Sequence, residues 1–489
     1  MTTDGSAGAE QSTSTTRGTR AWTPRNGELD YDPFREGNEE IERERAQCAE
    51  TIRKLTERPQ PSWPQPFPGV MADTVAAILA VAPKPRAVVS MLAVFAGMSA
   101  SLSGRWRLPN GMRMNQNICV VIPTGGGKDL PRVVSEQIAQ AAGAQVGGKP
   151  ASGAAVEQEL EPYGAKLISI DEAAHMIAVS TGRNAQHYMK DAQAVKLKTY
   201  TDSKGNYLVR GYADPKRRTK PQDRVIPHPC VVWASYSTVE MLAAAMGSEH
   251  VVSGDLPRDL IVVDTVVVDQ RRVRHAFTMP QAVTHRIEEL RRASDWSQRV
   301  PAGGIEADRF VTVTIEPDAD AELDNVMQRA NEVAKQTEGF AFDINTRHYE
   351  KVERVAGVLA CWTCPDNPRM SADMVRWADE LVIASDVCAV SFFGTEVHDD
   401  RRMQLVERAR KAIVSALQGK GGPNDAEREL VAAGKAPWSP ALRLFKLGAE
   451  EFHKAVEHLQ SAGEVTVDAV GVGKQREVKA FTPTQAWRQ

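Results

Sequence analysis

The stretch Ile118-Cys119-Val120-Val121-Ile122-Pro123-Thr124-Gly125-Gly126-Gly127-Lys128-Asp129 constrains the fold more than any other part of the chain. An apolar run of this length reads as a buried strand, and it enters a glycine-rich turn that ends in a lysine. Glycines let successive backbone N–H groups point inward without Cβ clashes. A helix beginning near Asp129 directs its positive end at the same point, and a lysine there reaches an anion. Thr124, Gly125, Gly126, Gly127, Lys128 and Asp129 are therefore candidate residues of a phosphate cradle, with a nucleoside triphosphate as the expected ligand. Against the pattern G-x-x-x-x-G-K-[ST] the loop departs twice, with Ile122 at the first glycine and Asp129 at the magnesium-ligating hydroxyl. The Asp129 carboxylate either ligates magnesium itself or weakens nucleotide binding by its charge, and a plain surface turn is the competing reading of the whole loop.

Leu167-Ile168-Ser169-Ile170-Asp171-Glu172 reads as a second apolar strand, ending in two carboxylates. It is expected to run beside the phosphate strand in a parallel sheet. Asp171 would then hold the hydration shell of Mg2+ and Glu172 would polarise an attacking water. The expected cofactors are ATP and Mg2+. Cys230-Val231-Val232-Trp233-Ala234-Ser235-Tyr236-Ser237 is a third apolar run; Ser235, with Ser237 as substitute, is the polar residue at its end, where hydroxyls also serve as helix N-caps. Ser253-Gly254-Asp255-Leu256-Pro257-Arg258 then places an arginine immediately before a fourth apolar run.

Between Glu172 and the third run, Asn206 to Tyr212 and Val225-Ile226 form short β-like arms around a basic, proline-bounded tip containing Lys216, Arg217, Arg218, Lys220 and Arg224. Cations of this kind contact nucleic-acid phosphates without regard to sequence, and Tyr207 and Tyr212 are candidate stacking partners for bases.

Taken in order, these residues resemble AAA+ ring ATPases and the viral hexameric helicases of superfamily three. The chain from about Trp63 to Ala389 also resembles a family of phage- and prophage-encoded P-loop proteins that are found joined to primase modules. That likeness rests on Pro64-Gln65-Pro66-Phe67-Pro68, the stretch from Val120 to Lys128, Asp171-Glu172, Leu197-Lys198-Thr199-Tyr200-Thr201-Asp202 and Gly254-Asp255-Leu256-Pro257-Arg258. The resemblance implies a helicase-like ATPase of mobile-element DNA replication. It implies Ser235 as sensor of the γ-phosphate, Arg258 as an arginine finger acting on a neighbouring subunit, and the basic tip as a DNA contact in a central pore. The implied partners are single-stranded or forked DNA, further copies of the chain in a ring, expected to be a hexamer, and primase or other replication proteins. A helicase loader or initiator ATPase and a non-hydrolysing, nucleotide-dependent DNA-binding scaffold are the alternatives.

The fold class expected is α/β: a P-loop NTPase core of AAA+ or superfamily-three type with a parallel sheet, a helical subdomain and a C-terminal winged helix. Residues 1–62 read as a disordered tail and charged helix, and 63–103 as a small helical piece broken at Pro83-Lys84-Pro85. The core follows at 104–275, a helical lid at 276–418, a linker at 419–437 and the winged helix at 438–489. Arg347, Arg354 and Arg376 are candidate sensor arginines of the lid. Lys474, Arg476 and Lys479 are candidate phosphate contacts of the wing. A net charge of −3 confines any DNA contact to local patches or the inside of a ring. Six scattered cysteines make no disulfide framework, and Cys361-Trp362-Thr363-Cys364 reads as structural. No stretch is apolar and long enough for a membrane span and no signal pattern opens the chain, so the expected location is the cytoplasm of a bacterial host.

Overall fold

The computed structural model describes residues 61–102, 105–174, 187–210, 225–239, 241, 256–294, 310–446, 448–461, 464–472 and 476–483. Helices α1 (Val70–Val81) and α2 (Ala87–Ala100) lead into strands β1 (Trp106–Arg107) and β2 (Asn117–Ile122). Next come α3 (Asp129–Ala141), β3 (Gln145–Gly147), α4 (Gly153–Gln158), β4 (Ala165–Ile170), α5 (His187–Asp202), β5 (Asn206–Leu208), β6 (Val225–Pro227), β7 (Cys230–Thr238) and β8 (Asp259–Val263). They are followed by α6 (Gln281–Ser294), β9 (Val311–Thr312), β10 (Thr314–Ile315), α7 (Pro317–Lys335), α8 (Gly339–Thr363), β11 (Arg369–Met370), α9 (Ala372–Ala389) and α10 (Thr395–Leu417). The chain closes with α11 (Asp425–Ala432), β12 (Ala436–Pro437), α12 (Trp438–Phe445), α13 (Ala449–Ser461), β13 (Val465–Val472) and β14 (Arg476–Pro483).

A wholly parallel sheet in the order β3-β4-β7-β2-β8 forms the centre of this α/β fold. This corrects one expectation: β4 does not lie beside β2, because β7 is inserted between them. All nine residues of β7 are buried, and a strand with no polar face to give to water belongs at the middle of a sheet. Period-two alternation divides the strands between two layers. Ile118, Val120, Ile122, Leu167, Val232, Ala234, Leu260 and Val262 join α2, α3, α8 and α9 in the main core. On the opposite face, Ile168, Ile170 and Trp233 pack on α4 and α5, while Cys119, Val121, Ile261 and Val263 pack on the end of α9.

Helix α2 is buried on every side from Val89 to Ala100, so it is a layer of the core and not a separable piece. Gly97 lets it approach α3: a Cβ there would stand 2.7 Å from the Ser135 carbonyl oxygen. Replacing Gly97 by Ala is expected to cost about 1–3 kcal/mol through overpacking, read as a lowered midpoint in urea without a change of slope.

Helix α9 runs along the free edge of β8, where Ser385 Oγ accepts from Ile261 N (2.7 Å) and Cys388 Sγ from Val263 N (3.1 Å). Side chains thus occupy backbone donors that an edge strand would otherwise expose. The expected lid helices α7 to α9 are therefore a wall of the same core, whereas α10 belongs elsewhere. Its residues Val406, Ala409, Ile413 and Ala416 pack with Phe445, Phe452 and Phe481 of the C-terminal module. There, β12, β14 and β13 form an antiparallel sheet against α12 and α13. The expected linker contains α11, begun by a capping box in which Asn424 and Glu427 bond each other's backbone N–H. Among the described residues no helix is long and apolar enough to cross a membrane.

Candidate functional site

The site forms where β2 and β4 end. Gly125 and Gly127 have φ of 63° and 96°, which other residues rarely adopt, and a Cβ on Gly126 would fall 2.6 Å from the Pro123 carbonyl oxygen. Close contacts thus require glycine at 126 and 127 and the backbone favours it at 125, in a turn closed by Gly126 N donating to Pro123 O (2.8 Å). Lys128 caps the thirteen-residue helix α3, and Asp129 is exposed in its first turn. Thr124 is exposed beside Gly125.

Lys128 and Asp171 meet across the C-terminal edge of the sheet, Nζ to Oδ1 at 2.5 Å. The same Oδ1 accepts from Glu172 N (3.0 Å). Burial raises the Asp171 pKa, but the hydrogen bond and charge of Lys128, the Glu172 N–H and the nearby Arg132 outweigh it and hold the carboxyl below its ordinary value. Glu172 is exposed with φ 56°, a left-handed conformation costing a non-glycine residue about 1–3 kcal/mol. The strain turns the chain sharply away from the strand and leaves two carboxylates at its end. These groups, with the glycine cradle and the helix N-terminus, can hold a polyphosphate and orient a water next to it.

The remaining candidates divide. Ser235 lies level with Ile170 and Cys119, buried in the sheet, and the structure does not bring it to the loop. Thr238 is the β7 residue level with Ile122, and its Oγ1 accepts from Met241 N (3.3 Å) as a helix cap. Ser237 is buried one position earlier. Arg258 directly precedes β8, whose Asp259 pairs with Asn117. It therefore stands at the opposite end of β2, about 20 Å from the loop at ~3.3 Å per strand residue.

Arg354 is also at that far end, buried, with Nη1 donating to Arg113 O (2.9 Å) and Asn115 Oδ1 (2.5 Å) and Nη2 to Glu350 Oε1 (2.8 Å). It is structural and does not reach the loop. Arg347 pairs with Glu350, both half-buried on α8, and Arg376 with Asp373 on the exposed surface of α9.

β5 and β6 pair antiparallel as the two arms expected, and Tyr163 N donates to Pro227 O (2.8 Å), which ties the stem to the segment entering β4. Tyr207 is not a stacking residue. It is fully buried, its hydroxyl donates to Glu157 Oε1 (2.7 Å), and Lys198 covers its ring at 4.3 Å. The tip residues Lys216, Arg217, Arg218, Lys220 and Arg224, with Tyr212 and Lys474, lie outside the described residues. Lys479 Nζ lies 5.4 Å from the ring centre of Trp438, which stacks on Phe481 at 4.9 Å.

Sequence reading missed the residues that grip the loop from outside it. Lys84 Nζ donates to Gly125 O (2.9 Å) and Arg86 Nε to Gly126 O (2.6 Å). They stand some forty residues upstream, and no local pattern links them to the loop.

Among the described residues no group of three or more His, Cys, Asp or Glu could hold a metal alone. The exposed pair Asp171 and Glu172 beside the cradle nevertheless suits Mg2+, which binds through one or two carboxylates together with substrate phosphates and water. Compared with models of known protein families the chain matches none, and no curated protein matches it.

Proposed function

We propose that the protein is a P-loop ATPase of AAA+ or superfamily-three type that assembles as a ring and moves on DNA during replication of a phage or related element. The observation that carries the reading is the contact of Lys128 with Asp171, forty-three residues apart and separated by β7, beside a glycine-rich turn. Ligand sites of parallel α/β sheets lie outside the carboxyl ends of the strands, where this pair stands.

In this reading Gly125 to Lys128 bind the β- and γ-phosphates of ATP through backbone N–H groups and the Lys128 ammonium. Binding exchanges the Lys128–Asp171 pair for contacts to ligand and ion. Magnesium, when bound, neutralises phosphate charge, and Asp171 would hold it with Asp129 as a further carboxylate within the first turn of α3. Glu172, free of any pairing that would occupy its carboxylate in the described contacts, accepts the proton of the attacking water. Thr238 replaces Ser235 as the polar side chain of β7 nearest the γ-phosphate.

Arg258 is too far from its own loop to act on it, so as an arginine finger it would serve a neighbour's nucleotide, which would require a ring. Mixing Lys128→Ala with Arg258→Ala is expected to restore part of the turnover that each lacks alone. Mixtures no more active than either variant would remove the finger. The basic residues between β5 and β6 are assigned to DNA contact, and the C-terminal module, with its strand, paired helices and β13–β14 wing, is read as a winged helix. Asp129 favours a second reading, a helicase loader or initiator ATPase, since its charge slows a cycle that a hydroxyl would support. Strand displacement from a forked duplex separates the two: a motor unwinds it and a loader does not.

A further inference from the structure

The link between α1 and α2, Pro83-Lys84-Pro85-Arg86, lies directly against the phosphate loop. A Cβ on Gly127 would fall 2.8 Å from both the Lys84 carbonyl oxygen and its Cβ, so the two backbones are in close contact. Arg86 is 4% exposed and spends all three nitrogens inside the protein. Nε donates to Gly126 O (2.6 Å), Nη2 to Val266 O (2.5 Å), and Nη1 pairs with Asp264 Oδ2 (2.5 Å). Asp264 N in turn donates to Val121 O (2.9 Å), which fixes the segment after β8 to the strand that feeds the loop. The link is held from its other side by Arg271, whose backbone N donates to Pro83 O (2.9 Å) and whose Nε donates to Ala82 O (2.9 Å).

Resting on the nucleotide reading above, we infer that Arg86, assisted by Lys84, is the positioning residue of the phosphate loop, holding three consecutive glycines in the conformation that binds a nucleoside triphosphate. Three adjacent glycines have more conformational freedom than any other tripeptide, and without restraint the loop would have to be ordered by the ligand. Arg86 and Lys84 order it beforehand by taking the carbonyls of Gly126 and Gly125. A peptide unit is planar and trans, so turning the Gly126 carbonyl toward Arg86 turns the Gly127 N–H the opposite way, where it can serve as a donor to an anion. The same two contacts withdraw from the cradle carbonyl oxygens that would repel phosphate. Neither cation need touch the ligand, and their place in the site comes from the side of the loop they occupy. The guanidinium suits this task, since its separate nitrogens reach two carbonyls and a carboxylate at once, which the single nitrogen of an ammonium does not.

The test is binding of MgATP to the full chain, as wild type, Lys128→Ala, Lys84→Met, Arg86→Lys and Arg86→Met, with hydrogen exchange followed in the peptides covering residues 123–128 and 230–238. Arg86→Lys keeps the charge facing Asp264, so it is the variant least disposed to unfold. It is expected to weaken MgATP binding about tenfold or more, as the binding-competent fraction of loop conformers falls. Exchange should quicken at 123–128 and stay unchanged at 230–238. Lys84→Met should weaken binding several-fold with a smaller change in loop exchange. Wild-type affinity in both Arg86 variants, or a loss accompanied by equal deprotection of 230–238, would overturn the inference and leave Arg86 an ordinary structural residue. Wild type and Lys128→Ala failing alike to bind MgATP would instead remove the nucleotide reading, and the inference with it.

Discussion

Glu172→Gln is expected to lower ATP turnover by about 10³-fold while leaving nucleotide affinity within a few-fold of wild type, the loss characteristic of a general base whose binding neighbours are intact. The substitution keeps the side chain's shape and the left-handed backbone at φ 56°, which Gln adopts no less readily than Glu, so folding should be unaffected. Lys128 and Asp171, to which the proposal assigns the binding, are unchanged. Steady-state hydrolysis beside equilibrium binding of MgATP reads both quantities. Turnover reduced less than tenfold would take the role of base away from Glu172. A parallel loss of binding and turnover would show that the carboxylate holds the ligand instead.

Asp386→Ala is expected to destabilise the fold by about 3–5 kcal/mol, because it strips the partner from a buried cation. His348 lies between two carboxylates, Nδ1 2.8 Å from Asp386 Oδ2 and Nε2 2.9 Å from Asp379 Oδ1. The wholly buried Lys351 ammonium bonds the other oxygen of Asp386, and Arg329 Nη2 pairs with Asp379 Oδ2 at 2.6 Å. Burial alone would lower the His348 pKa, but the two carboxylates more than offset it and raise the pKa above its ordinary value. A group whose pKa is raised on folding stabilises fully below its unfolded pKa, about 6.5 here, and ceases to do so as pH climbs through the folded value. Thermal midpoints should therefore decline in wild type as pH rises above about 6.5. Asp386→Ala should melt lower at every pH, with a weaker decline because His348 has lost one of its two carboxylates. Equal midpoints for the two proteins would mean that the network contributes nothing to stability.

The pattern of the chain revealed the long strands and concealed their order. β2, β4, β7 and β8 were legible because each is a continuous apolar run buried on both faces. β3 was not, since it is a three-residue edge strand only partly buried. Nothing local to Cys230–Thr238 says that this strand lies between β2 and β4; the pairing is decided by which strand has no face to spare for water. The placement of Lys128, Asp171 and Glu172 just beyond the ends of β2 and β4 was legible because each follows closely on an apolar run. The run of hydroxyl-bearing positions from Ser235 to Thr238 does not mark where the sheet stops, and the register shows that Thr238 rather than Ser235 is level with the last residue of β2. Tyr207 looked like a surface aromatic on a polar arm, yet a buried Glu157 some fifty residues upstream supplied the partner that allows its hydroxyl to be buried. Arg86 and Lys84 act on backbone carbonyls, which carry no residue identity, so no motif could announce them. Helix α11 was within reach of the sequence, through Asn424 and Glu427 at capping-box spacing, and was obscured by the flanking glycines.

ATP hydrolysis by the intact protein, with and without single-stranded DNA and compared with Lys128→Ala and Glu172→Gln, is the measurement to make first. A DNA-driven motor predicts turnover that rises when DNA is added and is abolished by both substitutions. Tight MgATP binding with no turnover above background, with or without DNA, would contradict it and leave a nucleotide-dependent switch or scaffold.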